Sequence, residues 1–260
     1  MPELSGKIAL VTGASSGIGE ATAREFARQW ARVALFARRE DRLEAVADSI
    51  RREGGQVMVC VGDVTKPEAV HAAVQNILSH WKRLDLLVNN AGRGLAAPFE
   101  AVTAQEFRDL VEVNLVGVLN ATQAALPTML QQGSGHVFNI ASIAGRRGVP
   151  FRSAYSATKF GLVGLTESLR QELKGTGIHV SLVYPIFTET EFHSVEPKKV
   201  QPRRYGGPVQ SPHRVARAIV RCARRPRPDV YPYPPAQLLA VLSVLAPGFV
   251  DWLMARLMRG

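Results

Sequence analysis

Lys7-Ile8-Ala9-Leu10-Val11-Thr12-Gly13-Ala14-Ser15-Ser16-Gly17-Ile18-Gly19 leads into Glu20-Ala21-Thr22-Ala23-Arg24-Glu25-Phe26-Ala27-Arg28. The first six residues form an apolar run of strand type, and the last nine repeat their apolar positions at helical spacing. Strand, glycine turn and helix in that order leave backbone N–H groups and a helix N-terminus to face a pyrophosphate. The glycines are spaced Gly13-x-x-x-Gly17-x-Gly19 rather than G-x-G-x-x-G. Taken alone, the turn is also compatible with an ordinary flexible βα connection.

Beyond this unit the chain keeps alternating. Strand signals fall at 32–37, 56–61, 85–88, 135–140 and 178–184, with a short one near 228–232. Helix signals fall at 40–53, 67–81, 103–131, 152–174 and 211–224, and Pro127 is expected to bend or end a turn of the third of the long ones. The pattern predicts an α/β fold, a Rossmann-type doubly wound parallel sheet covered on both faces, with ligands at the carboxyl ends of the strands. No internal repeat or linker divides it. We expect one domain over residues 1–232, followed by a hydrophobic and amphipathic helical extension over 233–260.

Composition agrees with that size of fold. The chain has 260 residues, 46% of them hydrophobic, enough for one large core. Cys60 and Cys222 sit in apolar strand-like and helix-like contexts, so they read as small buried side chains and not as a disulfide or metal pair. Met1 to Gly6 is short and polar, and no run approaches the roughly 20 apolar residues of a membrane span. A reducing, cytoplasmic setting is the expectation, with no metal.

The chemistry centres on Tyr155-Ser156-Ala157-Thr158-Lys159. Residues four apart share a helix face, so phenol and ammonium can point into one site. A phenol loses its proton near pH 10, and a neighbouring cation favours the phenolate. Tyr155 is therefore expected to give and take a proton close to neutral pH. Such a pair also arises by chance on a solvated helix face, and the other motifs must decide.

From Lys7 to about Tyr231 the chain resembles the short-chain dehydrogenase/reductase family. Thr12-Gly13, Gly17 and Gly19 match its cofactor motif, and Asn89-Asn90-Ala91-Gly92 matches its Asn-Asn-Ala-Gly motif. Its Asn-Ser-Tyr-Lys set maps onto Asn114, Ser142, Tyr155 and Lys159. The resemblance implies that Ser142 bonds the substrate carbonyl oxygen and that Tyr155 protonates it as hydride arrives from the nicotinamide. It implies that Lys159 holds the nicotinamide ribose and favours the tyrosinate, while Asn114 holds a water by backbone and side chain. The cofactor contacts it implies are Gly13, Ser15, Ser16, Gly17, Ile18, Gly19, Asp63, Val64, Asn90, Ala91, Gly92, Tyr155, Lys159, Pro185, Thr188 and Thr190, with Asp63 meeting the adenine.

Cofactor choice is read at Ala37-Arg38-Arg39. A carboxylate at position 37 would repel a 2′-phosphate, and Ala37 does not. Arg38 beside it can form charge-assisted bonds to that phosphate. The resemblance agrees, since a basic residue there marks NADP-dependent members, so NADP(H) is expected. The alternative is that Arg38 and Arg39 are a solvated turn.

Three features depart from the family pattern. Tyr184-Pro185-Ile186-Phe187 replaces the usual Pro-Gly, and β-branched Ile186 excludes a positive φ. Trp30 stands where a glycine is usual, at a cost of about 1 kcal/mol if the position is left-handed and the indole does not pack. The third is the tail with the basic segment before it. Ten Lys/Arg and no Asp or Glu lie between Lys198 and Arg227, and that excess equals the whole net charge of +10.

Arg214, Arg217, Arg221 and Arg224 share one helical face, with Val215, Ile219 and Cys222 opposite. Phe249, Val250, Leu253, Met254 and Leu257 are expected on one side of a last helix, flanked by Trp252, Arg256 and Arg259. A basic patch before amphipathic helices suits an anionic membrane surface over 198–260, or a substrate with a phosphate or long acyl chain. The plainer reading is that the tail covers the substrate site or a neighbouring subunit. Nucleic acid is not expected, because no recognition module accompanies the charge. Glu191 to Gln210 is expected to lie over the substrate.

Two functions follow. The first is an NADPH-dependent interconversion of an apolar ketone or aldehyde and its alcohol by a homodimer or tetramer. The alternative is a regulatory or scaffold protein that binds NADPH on the same fold. Retention of Asn114, Ser142, Tyr155 and Lys159 favours the enzyme.

Overall fold

Side-chain alternation sets the two faces of the sheet. In the computed structural model, which describes residues 4–200 and 207–257, β1 (Ile8–Thr12) sends Ala9 and Val11 to one face and Ile8 and Leu10 to the other. The next strand, β2 (Arg32–Ala37), divides Val33 and Leu35 from Ala34 and Phe36 in the same way. A strand apolar at every position must be covered twice, because successive side chains point oppositely.

The remaining strands are β3 (Val57–Val61), β4 (Leu86–Asn89), β5 (Gly135–Ile140), β6 (Ile178–Val183) and β7 (Asp229–Val230). They form one seven-stranded sheet in the order β3-β2-β1-β4-β5-β6-β7, and every pairing is parallel. The order reverses between β1 and β4, where the crossovers leave a crevice at the strand ends.

On one face lie α1 (Gly17–Arg28), α2 (Glu40–Arg52) and α8 (Pro212–Arg224); on the other lie α3 (Pro67–Trp81), α5 (Gly117–Gln132) and α6 (Ser153–Glu172). Phe26 of α1 and Val215 and Ile219 of α8 are fully buried in one cluster. Arg214, Arg217, Arg221 and Arg224 stay exposed on the far side of α8, as its spacing predicts. Cys60 and Cys222 are free and buried.

The stretch read as one helix over 103–131 is three pieces. α4 (Ala104–Val111) starts at a capping box between Thr103 and Glu106, a π-helical turn covers Glu112–Val116, and α5 follows. Pro127 lies inside α5 and does not end it. The irregularity falls at Asn114 instead, because the wider turn frees that side chain for partners off its own helix.

Trp30 has φ 63° and is 59% exposed, so the left-handed position lacks the packing that would offset it. Ile186 is absent from the positive-φ residues, and its turn is held by Ile143 N–H donating to the Pro185 carbonyl at 3.0 Å. The short α7 (Phe192–Val195) begins the crossing segment before α8.

Two helices complete the chain, α9 (Pro235–Leu245) and α10 (Pro247–Leu257). Ala236, Ala240 and Ser243 face inward from α9, and Val250 from α10 is fully buried. Phe249 does not share that face: it is 54% exposed and stacks on Trp252 outside, ring centroids 6.0 Å apart. The helix turns about 100° per residue, so burying Val250 rotates its neighbour outward. The Met254 and Leu257 side chains, Arg259, and Arg203 and Arg204 of the basic segment lie outside the described residues.

Candidate active site

At the crevice, the glycine turn is packed against β4 by atoms that leave no space for side chains. A Cβ on Gly19 would lie 2.3 Å from the Gly13 carbonyl oxygen, and one on Gly13, at φ 64°, would lie 2.8 Å from Asn90 Nδ2. The Asn90 amide donates to the carbonyls of Thr12 (3.0 Å) and Gly13 (3.1 Å), while the Thr12 hydroxyl accepts from the Asn90 and Ala91 N–H groups. The Asn90 side chain is thus spent on the turn. Asn89 is buried behind it, donating to Thr122 and Asn139.

The N-terminus of α1 carries no side-chain cap, since the Ser16 hydroxyl makes no capping bond there. Its first N–H groups have no intrahelical partner, which suits them to a pyrophosphate. Gly17 has φ 61°, with Thr190 against it: a Cβ would meet Thr190 Cγ2 at 3.0 Å.

Arg39, and not Arg38, reaches over this turn. Its Nη2 donates to Ser15 Oγ at 3.1 Å and Ser16 Oγ at 3.0 Å, and its Nη1 to Glu191 at 3.1 Å. Arg38 is 77% exposed at its side chain, with Asp63 3.6 Å away. Asp63 also accepts from the backbone and hydroxyl of Thr65. Both arginines, Asp63 and Val64 line the cavity.

A cavity of about 1460 Å³ runs from Arg38 and Arg39 past the glycine turn to Tyr155 and on to the tail helices. That exceeds the span usual for a single small-ligand pocket, roughly 300–1,000 Å³. Glycines that a Cβ would clash with, an uncapped helix start and this length together fit a bound dinucleotide.

Ser142, Tyr155, Lys159 and Asn114 converge beyond it. The Ser142 hydroxyl accepts from Ala144 N–H at 3.1 Å and bonds the Tyr155 phenol. Lys159 is buried, its ammonium donating to the Ile140 carbonyl at 2.8 Å and lying 5.7 Å from the Tyr155 ring centre. Gly145 lets α6 approach, since a Cβ there would lie 2.8 Å from the Lys159 carbonyl oxygen.

Asn114 accepts from Arg93 N–H at 2.8 Å and donates to the Arg93 carbonyl at 2.9 Å and Thr158 Oγ1 at 3.0 Å. Its side chain is therefore bonded within the protein. Of the two groups expected to hold a water, the backbone carbonyl is the one the side-chain bonds leave out.

Burial acts against the expectation of a phenol titrating near neutrality. Desolvation pushes the Tyr155 pKa up to about 12, against the opposing pull of Ser142 and Arg152. The same burial pulls Lys159 down to about 8. In each case the charged form loses water that no neighbour fully replaces.

Pro185, Thr188 and Thr190 also line the cavity. The Thr188 hydroxyl donates to the Ile186 carbonyl (2.8 Å) and accepts from Gln210 Nε2 (3.1 Å), so it fastens the segment rather than projecting from it. Arg152, Glu196, Phe192, Tyr233, Leu239 and Leu253 are also cavity residues. Phe192 and Glu196 lie in the segment expected over the substrate, and Tyr233, Leu239 and Leu253 in the tail whose plainer reading is a cover. Only Arg152 falls in no region that the sequence singles out. What local pattern does not give is which side chains of those segments face the cavity.

The fold and this cavity are those of a dinucleotide-binding protein. The short chain dehydrogenase family model matches residues 7–201, and the chain belongs to that family. It is 34% identical over 230 residues to the ketoacyl reductase HetN of Nostoc sp., covering 88% of this chain and 79% of that one. An uncharacterized oxidoreductase, YxnA of Bacillus subtilis, is 32% identical over 99% of this chain and 74% of its own.

Among solved structures, a short-chain dehydrogenase/reductase from Burkholderia phymatum in complex with NAD superposes with TM-score 0.86 at 28% identity, covering 96% of each chain. A metagenomic short-chain oxidoreductase in complex with NADP gives TM-score 0.74 at 34% identity, over 86% of this chain and 92% of that one. No helix among the described residues is long and apolar enough to cross a membrane.

Proposed function

We propose that this chain is an NADP(H)-dependent reductase of apolar carbonyl compounds. The observation that carries the reading is the order of groups along one cavity: Arg39 over the glycine turn, Ser142, Tyr155 and Lys159 midway, and apolar walls at the far end. Arg39, with Arg38 beside it, would take the 2′-phosphate, and Ala37 brings no carboxylate to oppose it. Ser15, Ser16, Gly17, Ile18 and Gly19 would receive the pyrophosphate, while Asp63 and Val64 would flank the adenine. Ala91, Gly92, Pro185 and Thr190 would border the nicotinamide half. The reduced nicotinamide would supply hydride to the substrate carbon.

Ser142 would then hold the carbonyl oxygen, and Tyr155 would hand it a proton. A phenol held near 12 is protonated at neutral pH, which favours reduction over alcohol oxidation there. The buried Lys159 ammonium would face the ribose and replenish the positive field as the phenolate forms. Asn114 would hold the Arg93 backbone and α6 in register, leaving its carbonyl for a water.

Residues 1–232 would form the catalytic domain and 233–260 an added cover, since Tyr233, Leu239 and Leu253 line the substrate end. Exposed Phe107, Leu119 and Phe160 on α4, α5 and α6 support assembly as a homo-oligomer. Leu238, Val241, Val244, Leu245, Phe249 and Trp252 form an exposed apolar face on α9 and α10. That face supports peripheral contact with an anionic bilayer from which an apolar substrate would enter. The observation against a purely regulatory role is the convergence of proton-transfer groups, which binding alone does not require.

The test is steady-state turnover of a lipid-ketone and steroid panel with NADPH and NADH. NADPH should be preferred, and Ala37→Asp with Arg38→Leu and Arg39→Leu should cut that preference at least about tenfold, the low end for lost charge-assisted bonds. Equal kcat/KM with the two cofactors in the unmodified protein would sink the NADP assignment. Sedimentation with anionic vesicles at low and high salt tests the surface, and no low-salt binding refutes it.

A further inference from the structure

Arg152 and Glu196 make a two-pronged ion pair inside the cavity. Nη1 donates to Oε2 at 2.9 Å and Nη2 to Oε1 at 2.6 Å, with the Glu196 side chain 1% exposed and that of Arg152 21%. Arg152 immediately precedes α6, three residues before Tyr155, and follows Phe151 at φ 61°. Glu196 follows α7, four residues after Phe192, whose ring centre lies 6.0 Å from that of Tyr155. Gly94 leaves room for the carboxylate: a Cβ there would lie 2.4 Å from Glu196 Oε2.

The segment bearing Glu196 is a strap that lines the cavity from Thr190 to Val200. It is stitched to a neighbouring loop by Ala96 N–H donating to the Pro197 carbonyl (3.1 Å) and Lys199 N–H donating to the Ala96 carbonyl (2.8 Å). Lys199 Nζ also reaches Glu106 and the Ala101 carbonyl, each at 2.8 Å. Arg152–Glu196 ties this strap to the helix that carries Tyr155. Two parallel charge-assisted bonds fix orientation as well as distance, and the carboxylate offsets the guanidinium charge, so the pair presents no net charge to a ligand.

We propose that Arg152 and Glu196 are a positioning and specificity pair: they clasp the strap over the carbonyl site and, by neutralising Arg152, select uncharged carbonyl compounds against carboxylate-bearing ones. The two charges act on the Tyr155 phenol with opposite sign, so the intact pair leaves its proton affinity to burial. The specificity half rests on the reductase reading above; the clasp does not.

The experiment uses Glu196→Gln and the double variant Arg152→Gln/Glu196→Gln in the full chain with saturating NADPH. Turnover of a 3-oxo ester is compared with that of its free 3-oxo acid, and amide exchange is followed at Ala96 and Lys199. Wild type should prefer the ester. Glu196→Gln exposes the guanidinium and should raise the acid-to-ester ratio of kcat/KM by roughly 10- to 100-fold, mainly through KM for the acid, the range for a hydrogen bond to a charged group. The double variant should return the ratio to the wild-type value. In both variants the two amides should exchange at least about tenfold faster.

An unchanged ratio in Glu196→Gln overturns the specificity role, and wild-type exchange rates overturn the clasp. If wild type reduces neither compound, the reductase reading fails for this substrate class, and exchange alone decides the clasp. If Glu196→Gln does not fold, the double variant, which removes both charges of the clasp, supplies the exchange test and should show a raised ester KM. An ester KM equal to wild type with unchanged exchange refutes the proposal.

Discussion

At the nucleotide end of the cavity the turn that forms the floor is backbone and glycine, whereas at the substrate end the walls are side chains borne on segments the sheet does not hold. Gly13 and Gly19 meet a carbonyl oxygen and an amide anchored to β1 and β4. Gly94 meets the end of a glutamate on the strap, and the far wall comes from α9 and α10. The first end can be specified by short motifs because the parallel pairing of β1 with β4 brings Asn90 to Thr12 and Gly13. The second depends on contacts between residues up to a hundred positions apart, such as Arg147 with the Pro247 carbonyl. One end fits a cofactor shared across a family; the other is free to differ.

Removing the proton where the two ends meet should have the largest effect. Tyr155→Phe keeps the ring in its buried place and takes away the transferable proton, so carbonyl reduction should fall at least about a hundredfold. NADPH affinity, measured by fluorescence, should stay within about twofold. Turnover at the original rate would remove Tyr155 from the mechanism.

The same substitution at each end tests the contrast directly. Gly19→Ala drives a methyl into a backbone oxygen that cannot move, and overpacking of this kind costs about 1–3 kcal/mol. NADPH affinity should drop at least about tenfold. Gly94→Ala meets a side-chain tip, so NADPH affinity should hold while KM for the carbonyl substrate rises. Equal losses of NADPH affinity in the two variants would erase the distinction.

Acid should weaken the platform that both ends share. His136 on β5 is buried, and desolvation, with His179 nearby, pulls its pKa down to about 3 from 6.5. Its Nε2 lies 2.7 Å from Ser181 Oγ, and its Nδ1 has no hydrogen-bond partner. The folded pKa lies below the unfolded one, so the unfolded chain binds the proton first. The stability contribution is complete above about pH 6.5 and declines as pH falls towards 3, by up to about 1.4 kcal/mol per unit. Urea midpoints at pH 7 and pH 5 should differ accordingly, and His136→Gln should flatten the dependence.

The smallest effect is expected at the turn before β2. Trp30→Gly relieves a left-handed, exposed indole and should stabilise the chain by up to about 1 kcal/mol, read as a higher thermal midpoint. No gain would mean that the indole contributes packing in the assembled protein.

Much of the fold was open to reading because its signals are short-range. Each strand predicted from an apolar run appears within a residue or two, and α8 buries the face that its spacing assigned. The errors share a cause. The helix over 103–131 is interrupted by a π turn at Asn114, whose partners Arg93 and Thr158 are not near it in sequence. Phe249 faces outward because Val250 is the residue buried.

What the sequence determined by itself was the order of elements, the glycine turn and the placing of Tyr155 and Lys159 on one helical face, all properties of residues within a few positions of one another. Tertiary structure decided which arginine covers the turn, how far burial lifts the Tyr155 phenol, and that Arg152 meets Glu196 across 44 positions. Desolvation and ion pairing depend on what distant segments bring to a point, and no local pattern encodes that distance.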